Sequence, residues 1–125
     1  FLARNKYSKG QIKEYVVKQF GYDLNFNLLD LQQNYTFTSK CKNSVPQAIY
    51  CFLISDSFED AIRKSLSIGG DSDTIACITG SISEAFYGIN NQIVKDVYKF
   101  IPDYILLVIN KFYNNLEKEP KYLLK

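Results

Sequence analysis

Six consecutive residues combine glycine, carboxylate and hydroxyl groups in a pattern that could bind a ligand. They are Gly69, Gly70, Asp71, Ser72, Asp73 and Thr74. Glycine lets the backbone turn sharply and approach a ligand closely, and the alternating acids place two carboxylates in one small volume. Carboxylates and a hydroxyl are hard oxygen donors, which favour Mg²⁺, Mn²⁺ or Ca²⁺ over zinc. The backbone amides at the glycine pair could also bind phosphate or ribose oxygens.

The same six residues have a second interpretation as the start of a helix. The first four N–H groups of a helix lack partners, and Asp and Ser side chains commonly accept hydrogen bonds from them. Ser72 or Asp73 would then cap a helix that runs from Thr74 onward. The residue pattern by itself leaves both interpretations open.

The composition limits the chemistry that this chain can perform. There is no histidine among the 125 residues, which excludes Ser-His-Asp and Cys-His nucleophile systems and the HExxH zinc site. The net charge is only +2 and no basic stripe occurs, so nucleic-acid binding is not indicated. No apolar run reaches membrane-spanning length. Three cysteines without a CxxC pair suit a reducing compartment, and we expect a cytoplasmic protein.

Helical patterns dominate the sequence, which predicts an all-α fold in a compact multi-helix bundle. Helices are predicted at about 9–20, 45–54, 58–67, 74–87, 94–100 and 103–117. Ser8 and Gln11 form a capping-box pattern, and Gly21 is predicted to end the first helix in the left-handed conformation. Ser44 is predicted to cap the second helix, and Asp56 or Ser57 the third. Residues 22–42 are predicted to be an irregular connection with one short turn, either functional or packed across a site. A glycine in mid-helix, Gly80, predicts a neighbouring backbone that crosses closely there. Apolar faces are predicted on the helix at 58–67, with Leu66 among its members, and on the helix at 74–87, where Ile75, Ile78, Ile82 and Phe86 form a ridge.

Other residues with reactive or stacking side chains have structural interpretations beside the functional ones. Ser44 is expected to cap rather than act as a nucleophile, because no base is available to activate it. Cys77 is expected to pack in the core, with a reactive thiol as the alternative. Tyr35 and Tyr87 could stack on an adenine or simply fill space. Glu84 could be a buried polar partner or a surface residue.

Several segments, taken in register from about Ser8 to Ile89, strongly resemble the ADP-ribosylglycohydrolase family, which includes dinitrogenase reductase-activating glycohydrolase. The glycine–glycine–Asp–x–Asp–Thr signature, followed by a helix of small residues, is the most specific part of this resemblance. The segments that carry it are 44–48, 52–53, 57–62, 67–76 and 80–88.

The resemblance implies an all-helical enzyme with two Mg²⁺ or Mn²⁺ ions that removes ADP-ribose from modified protein side chains. By similarity Asp71, Asp73 and Thr74 would be metal ligands, with Asp73 bridging both ions, and Gly69, Gly70 and Ser72 would contact ADP-ribose. No residue is nominated as the catalytic acid or base. The expected partners are ADP-ribose or an ADP-ribosylated protein, with no nucleic acid and no membrane.

The family's N-terminal Thr-Asp-Asp motif and upstream glutamate have no counterpart here. The chain is therefore expected to be the C-terminal portion of such an enzyme: a single helical domain or fragment over residues 1–125, with a family core at 8–89 and C-terminal helices and a tail at 90–125. The missing N-terminal half would be a further partner, and the isolated chain is expected to be inactive. The alternative is a non-catalytic truncated relative, or a helical domain that binds ADP-ribose or has a structural role.

Overall fold

The computed structural model of the protein describes residues 1–115. Within this range the chain forms seven α-helices and no β-strand, which confirms the all-α prediction. The helices are α1 (Lys9–Phe20), α2 (Leu28–Asn34), α3 (Val45–Leu53), α4 (Phe58–Ser67), α5 (Ser72–Tyr87), α6 (Asn91–Tyr98) and α7 (Asp103–Asn115), with a 3₁₀ turn at Cys41–Asn43. The predicted end of the last helix near Glu117 lies outside the described residues. The chain divides into two compact units, Phe1–Tyr87 and the segment from Gly88 onward.

Helix α1 begins and ends as its sequence predicts. The Ser8 hydroxyl accepts a hydrogen bond from the Gln11 N–H, and the Gln11 side chain accepts one from the Ser8 N–H, 2.9 Å away. Gly21 ends the helix in the left-handed conformation, with φ of +67°. Both helix caps consist of hydrogen bonds between residues no more than four positions apart, so the local sequence was sufficient to predict them.

Helix α2 corrects the prediction of an irregular segment between residues 22 and 42. The Asn27 side chain accepts hydrogen bonds from the Leu29 and Asp30 N–H groups and starts a seven-residue helix. Only Leu31 of this helix is buried. A helix of two turns that buries one side chain has little apolar periodicity, which is why the pattern did not reveal its length.

Helix α3 lies in the centre of the first unit. Ala48, Cys51 and Phe52 are fully buried, as the apolar pattern of this helix predicts. The prediction that the Ser44 side chain caps α3 is wrong: its hydroxyl donates instead to the Lys40 carbonyl, across the 3₁₀ turn. The Ser44 carbonyl still accepts the Ala48 N–H, so the helix begins at the expected place.

Helices α4 and α5 pack closely on each other and α5 also packs on α3. The Ser57 hydroxyl caps α4 by accepting the Asp60 N–H, 3.1 Å away. A Cβ added at Gly80 of α5 would lie 3.1 Å from Ile62 Cδ1 of α4, so the close neighbour here is a side chain and not the backbone that was predicted. Leu66 was predicted to lie on the buried apolar face of α4, but it is 51% exposed, so the prediction is wrong at this residue.

The fully buried face of α5 consists of Ile75, Thr79 and Ser83, spaced one turn apart. The apolar ridge predicted for α5 included Ile75, but its other members, Ile78, Ile82 and Phe86, are only half-buried. Small side chains let two helix backbones approach closely. The Thr79 hydroxyl uses this proximity to donate a hydrogen bond of 3.0 Å to the Ala48 carbonyl of α3.

The second unit contains α6 and α7. The Asn90 side chain caps α6 by accepting the Gln92 N–H. Helix α6 begins three residues before the predicted start at 94, because Asn90 provides the first cap. Several large apolar side chains of this unit are exposed, among them Phe100, Leu107 and Val108. No helix within residues 1–115 combines the length and apolar character needed to cross a bilayer.

Candidate functional site

The loop between α4 and α5 contains two consecutive left-handed glycines. Gly69 has φ of +71° and Gly70 has φ of +66°, a region that side-chain-bearing residues rarely adopt. The Asp71 carbonyl accepts the Ile75 N–H, 3.0 Å away, so α5 begins at Ser72. This corrects the predicted start at Thr74: Asp71 lies at the N-cap position, and Ser72 and Asp73 lie inside the first turn.

Two carboxylates meet at this helix start. Asp71 is half-buried and Asp73 is exposed. The Asp73 carboxylate accepts the Thr74 N–H at 2.9 Å. The pKa of Asp73 is lowered, first by a hydrogen bond with the Asp71 carboxyl and then by the backbone N–H of Thr74. The Asp71 and Asp73 side chains therefore interact at this helix start.

The donor set of this loop suits a hard divalent cation. Two adjacent carboxylates attract a cation that reduces their mutual repulsion, and Thr74, an exposed residue next to Asp73 in the chain, offers a hydroxyl as a third oxygen donor. Within residues 1–115 no group of three or more His, Cys, Asp or Glu side chains converges on one point. The described residues thus fit a metal ion as part of a ligand set, with the remaining positions open to water or to other ligands.

Tyr35 covers one side of the loop. A Cβ added at Gly70 would lie 2.5 Å from Tyr35 Cε1 and 2.8 Å from Cδ1, so the ring occupies the space that a side chain would need. The Tyr35 hydroxyl donates to the Asn43 carbonyl at 2.9 Å. Burial raises the pKa of Tyr35, and the negative charge of Asp71 raises it further. The segment before α3, predicted to be either functional or packed across a site, thus contacts the loop at this residue.

Other candidate residues lie elsewhere or in different surroundings. Cys77 is exposed, which corrects its predicted place in the core. Tyr87 ends α5 and lies about 22 Å along the helix from Ser72, because it follows Ser72 by fifteen positions. Its hydroxyl donates to the Ser55 carbonyl at 2.5 Å and its ring contacts Phe52. Glu84 is half-buried. None of these belongs to the loop.

Comparison with known proteins identifies the family to which this chain belongs. The sequence profile of the ADP-ribosylglycohydrolase family matches residues 11–118, which includes the loop and both carboxylates. The chain belongs to the ADP-ribosylglycohydrolase family. No solved structure matches it significantly.

Curated relatives match a shorter part of the chain. ADP-ribosylhydrolase ARH3 of Homo sapiens is 45% identical over a stretch that covers 38% of this chain and 16% of the relative. The proteins of the same name from Danio rerio and Bos taurus are 44% and 46% identical over similar stretches. The match thus spans about one sixth of the length of these relatives.

Proposed function

We propose that this chain supplies part of the active site of a hydrolase that removes ADP-ribose from modified protein side chains, by cleaving an N- or O-glycosidic bond. The observation that carries the proposal is the pair of neighbouring carboxylates, Asp71 and Asp73, at the start of α5 within the family-matched region. The name of the ARH3 relatives supports ADP-ribose as the substrate group. A cytoplasmic location stays a prediction from cysteine usage.

The proposed metal ligands are Asp71, Asp73 and Thr74, and the proposed metal is Mg²⁺, with Mn²⁺ as the alternative. When bound, such ions orient hydroxyl groups and polarise a water molecule. Two ions would need more carboxylates than this loop provides, so further ligands would come from a longer chain or from a partner. Because water fills the other positions, the described residues alone should bind Mg²⁺ weakly.

Gly69, Gly70 and Ser72 are proposed to contact ADP-ribose. The glycines have no side chain to block a ligand, and a Cβ at Gly69 would meet no atom within 4 Å. Free backbone N–H groups at the start of a helix favour anionic oxygens such as those of a diphosphate. With a metal ion at the carboxylates, the diphosphate and the cation would attract each other across the loop.

A second candidate function is ADP-ribose binding without hydrolysis. It is favoured by the finding that no third His, Cys, Asp or Glu joins Asp71 and Asp73 within residues 1–115. Both functions predict metal binding at the loop. Only the first predicts release of ADP-ribose from a modified protein.

Calorimetric titration of Mg²⁺, and then of ADP-ribose, tests the ligand assignment. The comparison is between the wild-type chain, an Asp73→Ala variant and an Asp96→Ala control; Asp96 is another aspartate with a lowered pKa, but on α6. We expect Asp73→Ala to abolish metal binding and Asp96→Ala to leave it intact. Equal Mg²⁺ binding by all three proteins would refute the assignment.

Hydrolysis is tested in the longest protein that contains this chain, with an ADP-ribosylated protein as substrate and free ADP-ribose as the measured product. Release that depends on Mg²⁺ and on Asp73 supports the hydrolase. Binding of ADP-ribose without any release supports the second candidate instead.

A further inference from the structure

The chain passes very close to the proposed site at residues 35 and 36. Besides the Tyr35 ring atoms, the Thr36 carbonyl oxygen lies 3.3 Å from the place where a Gly70 Cβ would be. Ordinary contacts between carbon atoms are about 3.5–4.0 Å. Residues 35 and 36 therefore leave Gly70 room for a hydrogen atom and nothing larger.

Tyr35 is itself held in place at both ends. Its hydroxyl donates to the Asn43 carbonyl, and its ring packs on the buried cluster of Leu31, Ala48, Cys51, Ile68 and Ile75. Ile68 comes just before the loop, and Ile75 lies in the first turns of α5 just after it. One side chain thus contacts Gly70 and the apolar cluster to which both ends of the loop are anchored.

The loop has few restraints of its own. Gly69 and Gly70 have no side chains, and glycine has more backbone freedom than any other residue. The Gly69 N–H donates to the Leu66 carbonyl at 3.2 Å, but the space around a Gly69 Cβ is open. The carboxylates of Asp71 and Asp73 follow directly. A rotation of the Gly70 backbone would therefore change where the Asp71 carboxylate points relative to Asp73, which lies in the first turn of α5.

We propose that Tyr35 is a positioning residue for the loop: its ring confines Gly70 and so holds the Asp71 and Asp73 carboxylates in the arrangement that binds a divalent cation. This inference rests on the proposed function, which makes those carboxylates metal ligands. Tyr35 itself does not contact the metal or the reacting atoms in this assignment.

The test compares three variants with the wild-type chain. Tyr35→Ala removes the ring, and Tyr35→Phe keeps it while removing the hydroxyl. Tyr50→Ala is the matched control: Tyr50 is also a half-buried tyrosine on the same cluster, but its ring packs edge-on against Phe26, 5.4 Å between centroids. Backbone ¹⁵N relaxation of the 69–74 amides reports loop order without metal, and Mn²⁺-induced broadening of the same signals reports cation affinity.

We expect Tyr35→Ala to lower the order parameters of the Gly69 and Gly70 amides from about 0.85 to below about 0.6. The Mn²⁺ dissociation constant should rise about tenfold, which corresponds to about 1.4 kcal/mol. Tyr35→Phe should stay close to wild type in both measurements because the ring remains. Tyr50→Ala should leave loop order and Mn²⁺ affinity unchanged.

The inference is overturned if folded Tyr35→Ala has wild-type loop order and Mn²⁺ affinity, if Tyr35→Phe is as impaired as Tyr35→Ala, or if Tyr50→Ala has the same effect on the loop. If Tyr35→Ala does not fold, Tyr35→Leu, which keeps apolar volume without a ring, is judged by the same criteria. Wild-type protein that binds no Mn²⁺ would contradict the proposed function, whereas the metal-free relaxation data would still decide the role of Tyr35.

Discussion

Replacing Gly70 with alanine should destabilise the protein far more than the same change at other left-handed glycines. Gly70, Gly69 and Gly21 share nearly the same backbone conformation, with φ of +66°, +71° and +67°. They differ in their surroundings. A Cβ at Gly70 would overlap Tyr35, whereas a Cβ at Gly69 or Gly21 would meet no atom within 4 Å.

The cost of Gly70→Ala has two parts. A left-handed conformation costs a residue with a Cβ about 1–2 kcal/mol, and this part is common to all three glycines. The Cβ at Gly70 would also lie 2.5 Å from Tyr35 Cε1, about 1 Å inside ordinary contact. Overpacking of this kind typically costs about 1–3 kcal/mol. We therefore expect a loss of about 2–5 kcal/mol for Gly70→Ala and about 1–2 kcal/mol for Gly69→Ala and Gly21→Ala.

Urea unfolding followed by circular dichroism measures these differences as changes in the free energy of unfolding. The three alanine variants share any change in the entropy of the unfolded chain, so their comparison isolates the overlap with Tyr35. In a Tyr35→Ala background, Gly70→Ala should cost no more than Gly69→Ala does. Gly70→Ala that costs the same as Gly21→Ala in the wild-type background would refute the close approach of Tyr35.

Three further predictions concern the first unit. Thr79→Val should cost about 1–2 kcal/mol of unfolding free energy, because it removes a buried hydrogen bond to α3. Ser83→Ala should be neutral or stabilising, because the buried Ser83 hydroxyl lacks a partner among the described residues; equal urea midpoints for the two variants would contradict this pair of expectations. Burial raises the pKa of Cys51 to about 12, so at pH 8 iodoacetamide should label exposed Cys77 and spare Cys51 until the protein unfolds, as mass spectrometry of the peptides would show. A hydrogen bond from Lys64 lowers the pKa of Asp60 in the folded protein. This pair should therefore stabilise the fold at pH values above 3.8, the ordinary pKa of the carboxyl group, and lose that contribution as the pH falls through the lower pKa of the folded state. Asp60→Asn should cost about 0.5 kcal/mol at pH 7 and less at pH 2, and an equal cost at both pH values would refute the assignment.

The best sequence predictions were those that depend on neighbouring residues. The capping box at Ser8, the cap at Ser57 and the left-handed end at Gly21 each involve atoms no more than four residues apart. The side-chain role given to Ser44 was wrong for a related reason. A serine hydroxyl can bond forwards or backwards along the chain, and the Lys40 carbonyl lay within reach behind it.

Burial was harder to predict than helix position. Cys77 and Leu66 carry apolar side chains and were placed in the core, yet both are exposed. Thr79 and Ser83 are fully buried instead. A helical pattern shows which face of a helix is the most hydrophobic. Small side chains also become buried where they let two helices approach closely, and this depends on which helix packs against them.

The sequence by itself determined the all-α class, the main helices and the loop of two glycines, two acids and a threonine, because helix starts and stops are set by local hydrogen bonding. It also placed both carboxylates in one small volume. Only the tertiary structure decided what surrounds them. Tyr35 is thirty-five residues from Gly70 in the chain, and its ring reaches the loop because α2, α3 and α5 share one buried cluster. No local pattern could show that contact, since it depends on how distant apolar side chains pack together.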